Sequence, residues 1–392
     1  MASSIEYDIV SADSHVLEPR DLFEARVAVK FRERAPKLAP WNGGDAWHIE
    51  GLDPVPLPVT AATGSGYRIG RGSSKTPIAF DDVLPGLYEP VARLAAQEAD
   101  SIDAEVLYPS PTLWDAINQM DDRELKVACV RAYNDWIAEF CAQDPGRLIG
   151  LGKIPSTVGE DACKELHRCV EELNLRGVVL DAWPSGKQIP GDSDDDAFWE
   201  AIDGFGVPVS LHYAVGGQGP SLPYGGIGPG LKPPMADAAL PLVAGGVFDR
   251  FPNIRLVFAH GDAGWVFHWL EFMDINYVRH RHLDQYALRN PDALPSEYVR
   301  KHSWFTFHHD RSAVKNRQKV GAAHLMWASH FPLDDSNWPD DRQQAMRITE
   351  ELPSQERSAL LAGNTARLYR LPGYEQGFDD AELNTFEQLV YF

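Results

Sequence analysis

The chain has 392 residues and carries 57 acidic against 36 basic side chains, which gives a formal net charge of −21. A surface this acidic repels phosphate backbones and anionic lipid, so the composition argues against nucleic acid and membranes as partners. With 44% hydrophobic residues, the chain has enough apolar material for a packed core without a disulfide or a structural metal.

Cysteine usage and the N-terminus indicate a cytoplasmic protein. The four cysteines are Cys129, Cys141, Cys163 and Cys169, and no two of them form a Cys-x-x-Cys pair. We therefore expect reduced thiols, as in a reducing compartment. The N-terminus lacks the basic and apolar stretches of a signal peptide, and no window approaches the roughly 18 apolar residues of a membrane-spanning helix.

Eight short apolar runs alternate with helical patterns along the chain. Most of them are almost unbroken, which is typical of parallel strands that are covered by helices on both faces. Eight such steps predict a single (β/α)8 TIM barrel over residues 1–392. An open doubly wound sheet is the alternative, but no Gly-x-Gly-x-x-Gly turn follows the first strand. The predicted strands are Tyr7–Ala12, Ala104–Tyr108, Leu148–Ile154, Gly177–Leu180, Pro208–Leu211, Ile254–Ala259, Trp304–Phe307 and His324–Ala328.

Three segments depart from this alternation. Residues 31–99, which are rich in Pro, Gly and Trp, form a long insertion after strand 1, for which we expect some strand structure and a lid position. Val215–Met235, rich in Gly and Pro, is predicted to be a mobile flap after strand 5. Residues 372–392 form a C-terminal tail that we expect to pack on the barrel or on a partner subunit.

Metal-binding side chains follow five of the predicted strands, at the point where each strand ends. The carboxyl ends of all strands open on one face of a (β/α)8 barrel, so these residues converge there. One histidine at a strand end is more often structural, but the coincidence over five strands predicts a metal site. His302 and His324 lie at the opposite end of the barrel and are not expected to bind metal. The candidate ligands are Asp13, His15, Glu18, His212, His260 and His330, with His308 beside them.

Six motifs carry a resemblance to a known superfamily over nearly the whole chain. They are Asp-Ser-His-Val-Leu-Glu-Pro at 13–19, Ala-Tyr-Asn-Asp-Trp at 132–136, Asp-Pro-Gly-Arg-Leu at 144–148, Phe-Pro-Asn-Ile-Arg-Leu-Val-Phe-Ala-His-Gly at 251–261, Trp-Ala-Ser-His-Phe-Pro at 327–332 and Gly-Asn-Thr-Ala-Arg-Leu-Tyr at 363–369. This set resembles the amidohydrolase-related TIM-barrel metalloenzymes. It is specific for the superfamily and not for one reaction.

Two positions differ from the hydrolytic and decarboxylating members of that superfamily. Those members usually open with His-x-His, whereas this chain has Asp13-x-His15 followed by Glu18. They also usually carry an aspartate at the end of strand eight, which binds the metal and acts as the general base. Here that position is His330, and Asp335 is a candidate replacement for the base.

The Asp-x-His-x-x-Glu opening resembles a branch that contains nonheme diiron monooxygenases of platensimycin- and platencin-type diterpenoid biosynthesis. This resemblance implies secondary metabolism, with two iron ions per chain held by the candidate ligands and with O2 hydroxylating a bulky, apolar, coenzyme-A-linked substrate. It also implies an electron donor and, by analogy, a homodimer. Trp41, Tyr213 and Tyr224 would line the apolar substrate pocket.

A mononuclear zinc or manganese hydrolase or decarboxylase is the alternative. Its metal would polarise a carbonyl or generate hydroxide, with Asp335 or His308 as the base. The intact ligand set argues against a third hypothesis, an inactive barrel that serves as a scaffold. An anionic substrate would need local positive charge in so acidic a chain, and the candidates for it are Lys187, Arg279, Arg281 and Arg342.

Overall fold

Eight parallel strands surround one axis in the computed structural model, which describes residues 7–66, 77–187, 193–212, 233–283, 287–378 and 383. A small antiparallel sheet lies outside them. The strands are β1 (Val10–His15), β2 (Lys37–Trp41), β3 (Gly44–His48), β4 (Val55–Pro56), β5 (Ala104–Tyr108), β6 (Leu148–Gly150), β7 (Gly152–Lys153), β8 (Val178–Leu180), β9 (Pro208–His212), β10 (Arg255–Ala259), β11 (Ser303–Phe307) and β12 (Leu325–Trp327).

Hydrogen bonds at two joints close the parallel strands into a barrel. The strand orders are β1-β5-β6 and β12-β11-β10-β9-β8-β7. Leu151 alone separates β6 from β7, and its amide donates to the Leu107 carbonyl oxygen at 3.1 Å, so β6 and β7 act as one barrel strand. On the other side, the His330 amide donates to the Asp13 carbonyl oxygen at 3.0 Å. The predicted (β/α)8 barrel is therefore confirmed.

Helices connect successive barrel strands and cover them. The longest, α5, begins after Asp122, whose carboxylate accepts a hydrogen bond from the Leu125 amide and so caps the helix. The helices are α1 (Leu22–Arg26), α2 (Thr60–Thr63), α3 (Pro90–Asp100), α4 (Pro111–Asn118), α5 (Arg123–Cys141), α6 (Gly159–His167), α7 (Asp196–Phe205), α8 (Pro233–Ala244), α9 (Val247–Arg250), α10 (Val266–His280), α11 (Pro295–His302), α12 (Arg311–Lys315), α13 (Arg317–Val320), α14 (Asp341–Ile348), α15 (Ser354–Ser358) and α16 (Asn364–Leu368).

The barrel interior is apolar below the mouth. Side chains alternate along each strand, so every second residue points toward the barrel axis. The inward residues form one buried cluster that is separate from the larger layer between strands and helices. Its members include Val10, Ala12, Val106, Tyr108, Ile149, Leu151, Val179, Val257, Ala259 and Met326.

The predicted insertion contains more regular structure than its Pro- and Gly-rich sequence suggests. Strands β2, β3 and β4 form the antiparallel sheet within it, and Trp47 of β3 packs edge-on against Phe23, with ring centroids 5.5 Å apart. Helix α3 begins inside the predicted range but ends at Asp100, one residue beyond it, and three residues separate it from β5. We expected some strand structure in residues 31–99, and the structure contains it.

Several predicted boundaries need correction. The first strand is Val10–His15 and not Tyr7–Ala12, because its pairing with β5 continues past an irregularity to His15. The predicted flap lies outside the described residues up to position 232, and Pro233 begins α8. Of the predicted tail, Phe378 packs on Trp304 at a ring separation of 5.6 Å. Within the described residues, no helix has the length and apolar character that crossing a membrane requires.

Candidate metal centre

Four of the predicted ligands meet at the barrel mouth. Asp13 and His15 come from β1, His212 ends β9, and His260 follows β10. Each offers a nitrogen or oxygen atom, and these four atoms lie within 4.8 Å of one another. A second group, formed by His260, His330 and Asp335, meets the same criterion. The two groups share His260, so they form one continuous centre.

Asp13 lies at the middle of this centre and is fully buried. Its Oδ1 is 3.2 Å from His15 Nε2, and its Oδ2 is 3.6 Å from His260 Nδ1 and 3.7 Å from His330 Nε2. One carboxylate therefore faces imidazoles from three different barrel strands or the loops that follow them.

An irregularity in β1 turns both of its ligands toward the mouth. Ser11 pairs with Glu105 and Ser14 with Leu107, so the register shifts by one residue between them. A bulge of this kind changes which face a side chain occupies, and it lets Asp13 join Ala12 on the inner side. His15 Nδ1 lies 2.9 Å from the Pro109 carbonyl oxygen, to which it donates its proton. That hydrogen bond leaves His15 Nε2 as the acceptor atom that faces Asp13.

Backbone conformation orients the other histidines. His260 and His330 have φ angles of 62° and 57°, and Asp262 has 49°, all in the left-handed region that side-chain-bearing residues rarely adopt. Each such residue costs on the order of 1–3 kcal/mol and persists only where its surroundings enforce it. Here the His260 amide is held by the Thr306 hydroxyl at 2.9 Å. Two of the ligand side chains, those of His260 and His330, are therefore carried on strained backbone.

His330 is paired with a carboxylate on its far side. Its Nδ1 donates to Asp335 Oδ2 at 2.8 Å, while its Nε2 points to Asp13. A metal-binding histidine commonly has this arrangement, in which a carboxylate fixes the tautomer and the ring orientation. Burial alone would lower the pKa of His330, but Asp335 and Asp13 raise it to about 9.

The charges in the centre stabilise an ionised Asp13. Burial alone would raise the pKa of Asp13, but the imidazoles of His15, His260 and His330 outweigh burial and hold that pKa well below its ordinary value. Burial and the neighbouring His15 lower the pKa of His212 well below its ordinary range. The centre thus combines an ionised Asp13 with a neutral His212, the protonation states that metal binding requires, whereas His330 must lose a proton to bind the ion.

The donor set fits a divalent metal ion. Asp13 Oδ1 and Oδ2, His15 Nε2 and His330 Nε2 are buried, and none has a hydrogen-bond partner in the part of the chain that the structure describes. Ligands about 2.0–2.2 Å from one ion lie roughly 3–4.3 Å from each other. The separations of 3.2–3.7 Å around Asp13 fall in that range.

Glu18 is not part of either group. Its carboxylate accepts hydrogen bonds from Trp114 Nε1 at 2.7 Å, from the Ser110 amide at 3.3 Å and from the Ser110 hydroxyl. Burial raises the pKa of Glu18, although these donors oppose the shift. The sequence placed Glu18 near the mouth, but Ser110 and Trp114 bind the side chain that was expected to hold a metal.

His308 lies beside the centre and has an acidic partner that the sequence did not suggest. Its ring centroid is 5.1 Å from that of His330, and its Nε2 is 3.2 Å from Asp341 Oδ1. Asp341 is fully buried and also accepts hydrogen bonds from the Ser336 hydroxyl and the Asn337 amide. Asp341 opens α14, well beyond the last strand, so strand-end reasoning could not have found it.

A buried arginine supports the centre from beneath. Arg93 donates to the His15 carbonyl oxygen at 2.8 Å and forms a two-pronged ion pair with Glu105 at 2.6 and 3.0 Å. Its guanidinium also lies over the ring of Phe331, 4.8 Å from the ring centroid. Arg93 therefore links the strand that carries His15 to the segment that carries His330.

The structure does not test the three residues that were predicted to line the substrate pocket. Trp41 ends β2 and pairs with Gly44 in the outer antiparallel sheet. Tyr213 and Tyr224 lie outside the described residues. The role of all three in binding substrate stays a prediction.

Comparison with known proteins assigns the chain to a family. The pattern of the family described as "Amidohydrolase" matches residues 91–371, more than half of the chain. The chain belongs to the amidohydrolase family. This confirms the superfamily that the motifs predicted.

Several proteins to which the chain is similar carry the names of decarboxylases. The 2-amino-3-carboxymuconate-6-semialdehyde decarboxylase of Dictyostelium discoideum is 28% identical over 60% of this chain and 64% of its own length, slightly under two thirds. The gamma-resorcylate decarboxylase of Rhodococcus jostii is 25% identical over 65% of this chain and 80% of its own length. A manganese-bound 5-carboxyvanillate decarboxylase of Novosphingobium aromaticivorans shares the fold, with a TM-score of 0.68 at 17% identity over 93% of this chain and 97% of that one.

These relatives overturn the oxygenase hypothesis. The names are those of decarboxylases and not of diiron monooxygenases, so the assignments to the diiron branch, to oxidoreductases and to a two-iron cofactor are wrong. The coenzyme-A-linked substrate and the electron donor were inferred from that branch and lose their support with it. The Asp-x-His-x-x-Glu opening misled because it was weighed as one unit, whereas Glu18 is bound by Ser110 and Trp114.

Proposed function

We propose that this protein is a metal-dependent decarboxylase of a small carboxylated aromatic or unsaturated acid. The observation that carries the proposal is the buried group of Asp13, His15, His212 and His260 at the barrel mouth. The group is chemically suited to manganese or zinc. The decarboxylase names of the relatives point from this site to the reaction.

Asp13, His15, His212 and His260 would hold the ion, with His330 completing the set through Nε2. A divalent ion bound there supplies a Lewis acid that polarises a carboxylate or phenolate oxygen of the substrate. Asp335 keeps the proton of His330 on Nδ1, so that Nε2 faces Asp13. Asp335 is therefore a positioning residue in this proposal, rather than the general base that the sequence suggested as an option.

In this proposal His308 donates the proton that the reaction consumes. When the carbon–carboxyl bond breaks, its electron pair stays on the substrate carbon, CO2 leaves, and that carbon takes up one proton. Asp341 accepts from His308 Nε2 and stabilises the charged imidazolium while it donates from its other nitrogen. In this role the His308–Asp341 pair replaces the aspartate that relatives usually carry at the end of strand eight.

Anaerobic CO2 release tests the proposal. The metal-free protein is loaded in separate portions with manganese, zinc or iron and is offered γ-resorcylate, 5-carboxyvanillate and related carboxylated phenols without O2. We expect CO2 and the decarboxylated product in equal amounts with manganese or zinc. An absolute requirement for O2, or no CO2 from any acid with any metal, would refute the proposal.

His212→Ala and His268→Ala make a matched pair for this assay. His268 lies on α10, away from the centre, with its ring 6.2 Å from that of Phe272. We expect His212→Ala to abolish CO2 release and His268→Ala to leave it unchanged. Equal activity of the two variants would show that the reaction takes place elsewhere.

A further inference from the structure

Lys153 is a buried cation at the mouth of the barrel. Ile149 and Leu151 belong to the inner cluster, so alternation along the strand places Lys153 as the next inward residue. It is the last residue of β7, and the carboxyl ends of the strands form the mouth. Its side chain is completely shielded from solvent. A lysine is almost never fully buried unless it is paired.

The partner of Lys153 directly follows the neighbouring strand β8 and lies next to the metal centre. Lys153 forms an ion pair with Asp181, the residue after β8. Val179 pairs with Ser210 and Leu180 with Leu211, so continuation of this register brings Asp181 to the level of His212. The ion pair therefore flanks one of the proposed metal ligands.

A buried hydroxyl near this ion pair, that of Tyr133, has no partner in the described part of the chain. Burial first, and then nearby charges that include Glu18 and Asp181, raise the pKa of Tyr133. Lys153 Nζ lies 5.3 Å from the centre of the Trp114 ring, whose Nε1 donates to Glu18. The ring of Tyr133 packs edge-on against the same tryptophan at 5.4 Å. The Tyr133 hydroxyl is buried and has no hydrogen-bond partner in the described part of the chain. A buried hydroxyl without a partner is costly, and such an orphaned group often marks a missing ligand.

Stability alone does not account for an ion pair in this position. The desolvation of two buried charges often cancels their attraction, so apolar side chains of similar volume are as stable or more so. The inward residues deeper in the barrel are apolar, so apolar side chains could also have filled the positions of Lys153 and Asp181. An acidic chain of net charge −21 that binds an anion needs a local positive charge.

We infer that Lys153 Nζ and the Tyr133 hydroxyl bind an anionic oxygen, carboxylate or phenolate, of the substrate beside the metal centre. This inference rests on the proposed function and deepens it, because it restricts the substrate to acids with an ionised group that reaches β7. Asp181 holds the ammonium in place and neutralises it until the anion arrives. Lys153 was not among the basic residues that the sequence suggested as partners of an anionic substrate. One of those residues, Lys187, forms an ion pair with Asp194.

Binding of three related ligands tests the inference on the manganese-loaded full chain. The ligands are 4-hydroxy-3-methoxy-5-nitrobenzoic acid, its carboxamide and its phenol methyl ether, measured by calorimetry. The amide removes the carboxylate charge, and the ether removes the phenolate charge. We expect wild type to bind the acid at least 10-fold more tightly than one of the two analogues. The analogue that loses affinity identifies which oxygen reaches Lys153.

The decisive variant is the double change Lys153→Met with Asp181→Asn, which avoids leaving a buried aspartate unpaired. We expect it to erase the 10-fold preference, and we expect Tyr133→Phe to reduce the preference. Lys126→Met is the matched control, because Lys126 is also mostly buried but donates to the Asn118 carbonyl oxygen at 2.7 Å. The control should keep the preference.

A double variant that keeps the wild-type preference would overturn the inference, as would a wild type that binds all three ligands equally or binds none. CO2 release is scored separately on the same preparations. A preference that depends on Lys153 without CO2 release would support the anion site and remove the proposed reaction. CO2 release without such a preference would remove the anion site alone.

Discussion

Histidines occupy both ends of the barrel strands, and their ring nitrogens are used in opposite ways. At the lower end, both ring nitrogens of His324 face backbone carbonyl oxygens: Nδ1 is 2.9 Å from that of Ser303, and Nε2 is 3.0 Å from that of Leu383. At the mouth, His15 and His330 each use Nδ1 in a hydrogen bond and leave Nε2 facing Asp13. Backbone groups occupy both ring nitrogens of the lower histidine, whereas each upper histidine keeps Nε2 directed at Asp13 and the proposed metal site.

The same contrast holds for His302. It stacks on Phe248 at 4.5 Å with an interplanar angle of 4°, and its Nδ1 bonds to the Ile254 carbonyl oxygen at 2.9 Å. Burial lowers the pKa of His302 to about 4, so the neutral ring is part of the packed base of the barrel. Residue type and burial are alike at the two ends, and the partner of each ring nitrogen separates a structural histidine from a metal-binding candidate.

Asp13→Asn should give the largest effect at the mouth. It removes the charge that faces three imidazoles, so we expect the affinity for manganese to fall more than about 100-fold and CO2 release to disappear. Asp274→Asn is the control, because Asp274 is also fully buried but accepts from the Ser296 amide near α11. Equilibrium dialysis of both variants measures this, and Asp274→Asn should lose stability while keeping its metal.

His308→Gln should have the next largest effect, on turnover alone. Loss of a positioned proton donor lowers kcat by roughly 10²–10⁴-fold, and we expect metal content and KM to stay near those of wild type. Steady-state kinetics with metal analysis check this. A variant with normal kcat, or one that loses its metal, would remove His308 from the proton transfer.

Asp335→Asn tests whether Asp335 acts by orienting the metal ligand His330. The amide still fills the site but no longer fixes His330 by a charge-assisted hydrogen bond, and we expect manganese affinity to drop 10–100-fold. Asp334→Asn, one residue earlier and exposed, should bind manganese like wild type. Indistinguishable affinities for the two variants would show that the pair formed by His330 and Asp335 does not support the centre.

His302→Gln tests the lower end and should have the smallest effect. The pKa of His302 is about 4 in the folded chain and about 6.5 in the unfolded one, so the unfolded state binds the proton first. Its contribution is fully present above pH 6.5 and is lost as the pH falls toward 4. Between pH 7.5 and 5.5, urea unfolding of wild type should show about 1 kcal/mol more loss of stability than the variant. An equal loss in both would assign the pH dependence to other groups.

The sequence was sufficient for the barrel because its signals are local and repeated. Unbroken apolar runs such as those in β8 and β10 mark strands covered on both faces, and the polar residue after each run marks the mouth. His212 and His260 were found in this way. The same rule points to Asp181, which follows the predicted strand Gly177–Leu180, but not to Lys153, which lies inside the predicted strand Leu148–Ile154.

Other features depend on contacts between distant parts of the chain. Whether Glu18 faces a metal or a tryptophan is decided by Trp114, 96 residues away. Asp341 contacts His308 although the two are 33 residues apart in the sequence, and no local sequence pattern predicts that contact. Sequence reasoning named a decarboxylase only as the alternative, because one fold and one ligand set serve several chemistries.

A manganese-soaked crystal, examined by anomalous scattering, tests the central claim most directly. The proposed centre predicts one strong peak per chain, about 2.0–2.3 Å from the Asp13 carboxylate and from imidazole nitrogens of at least two of His15, His212 and His260. A strong peak at any other place, or no peak beside the Asp13 carboxylate, would contradict it.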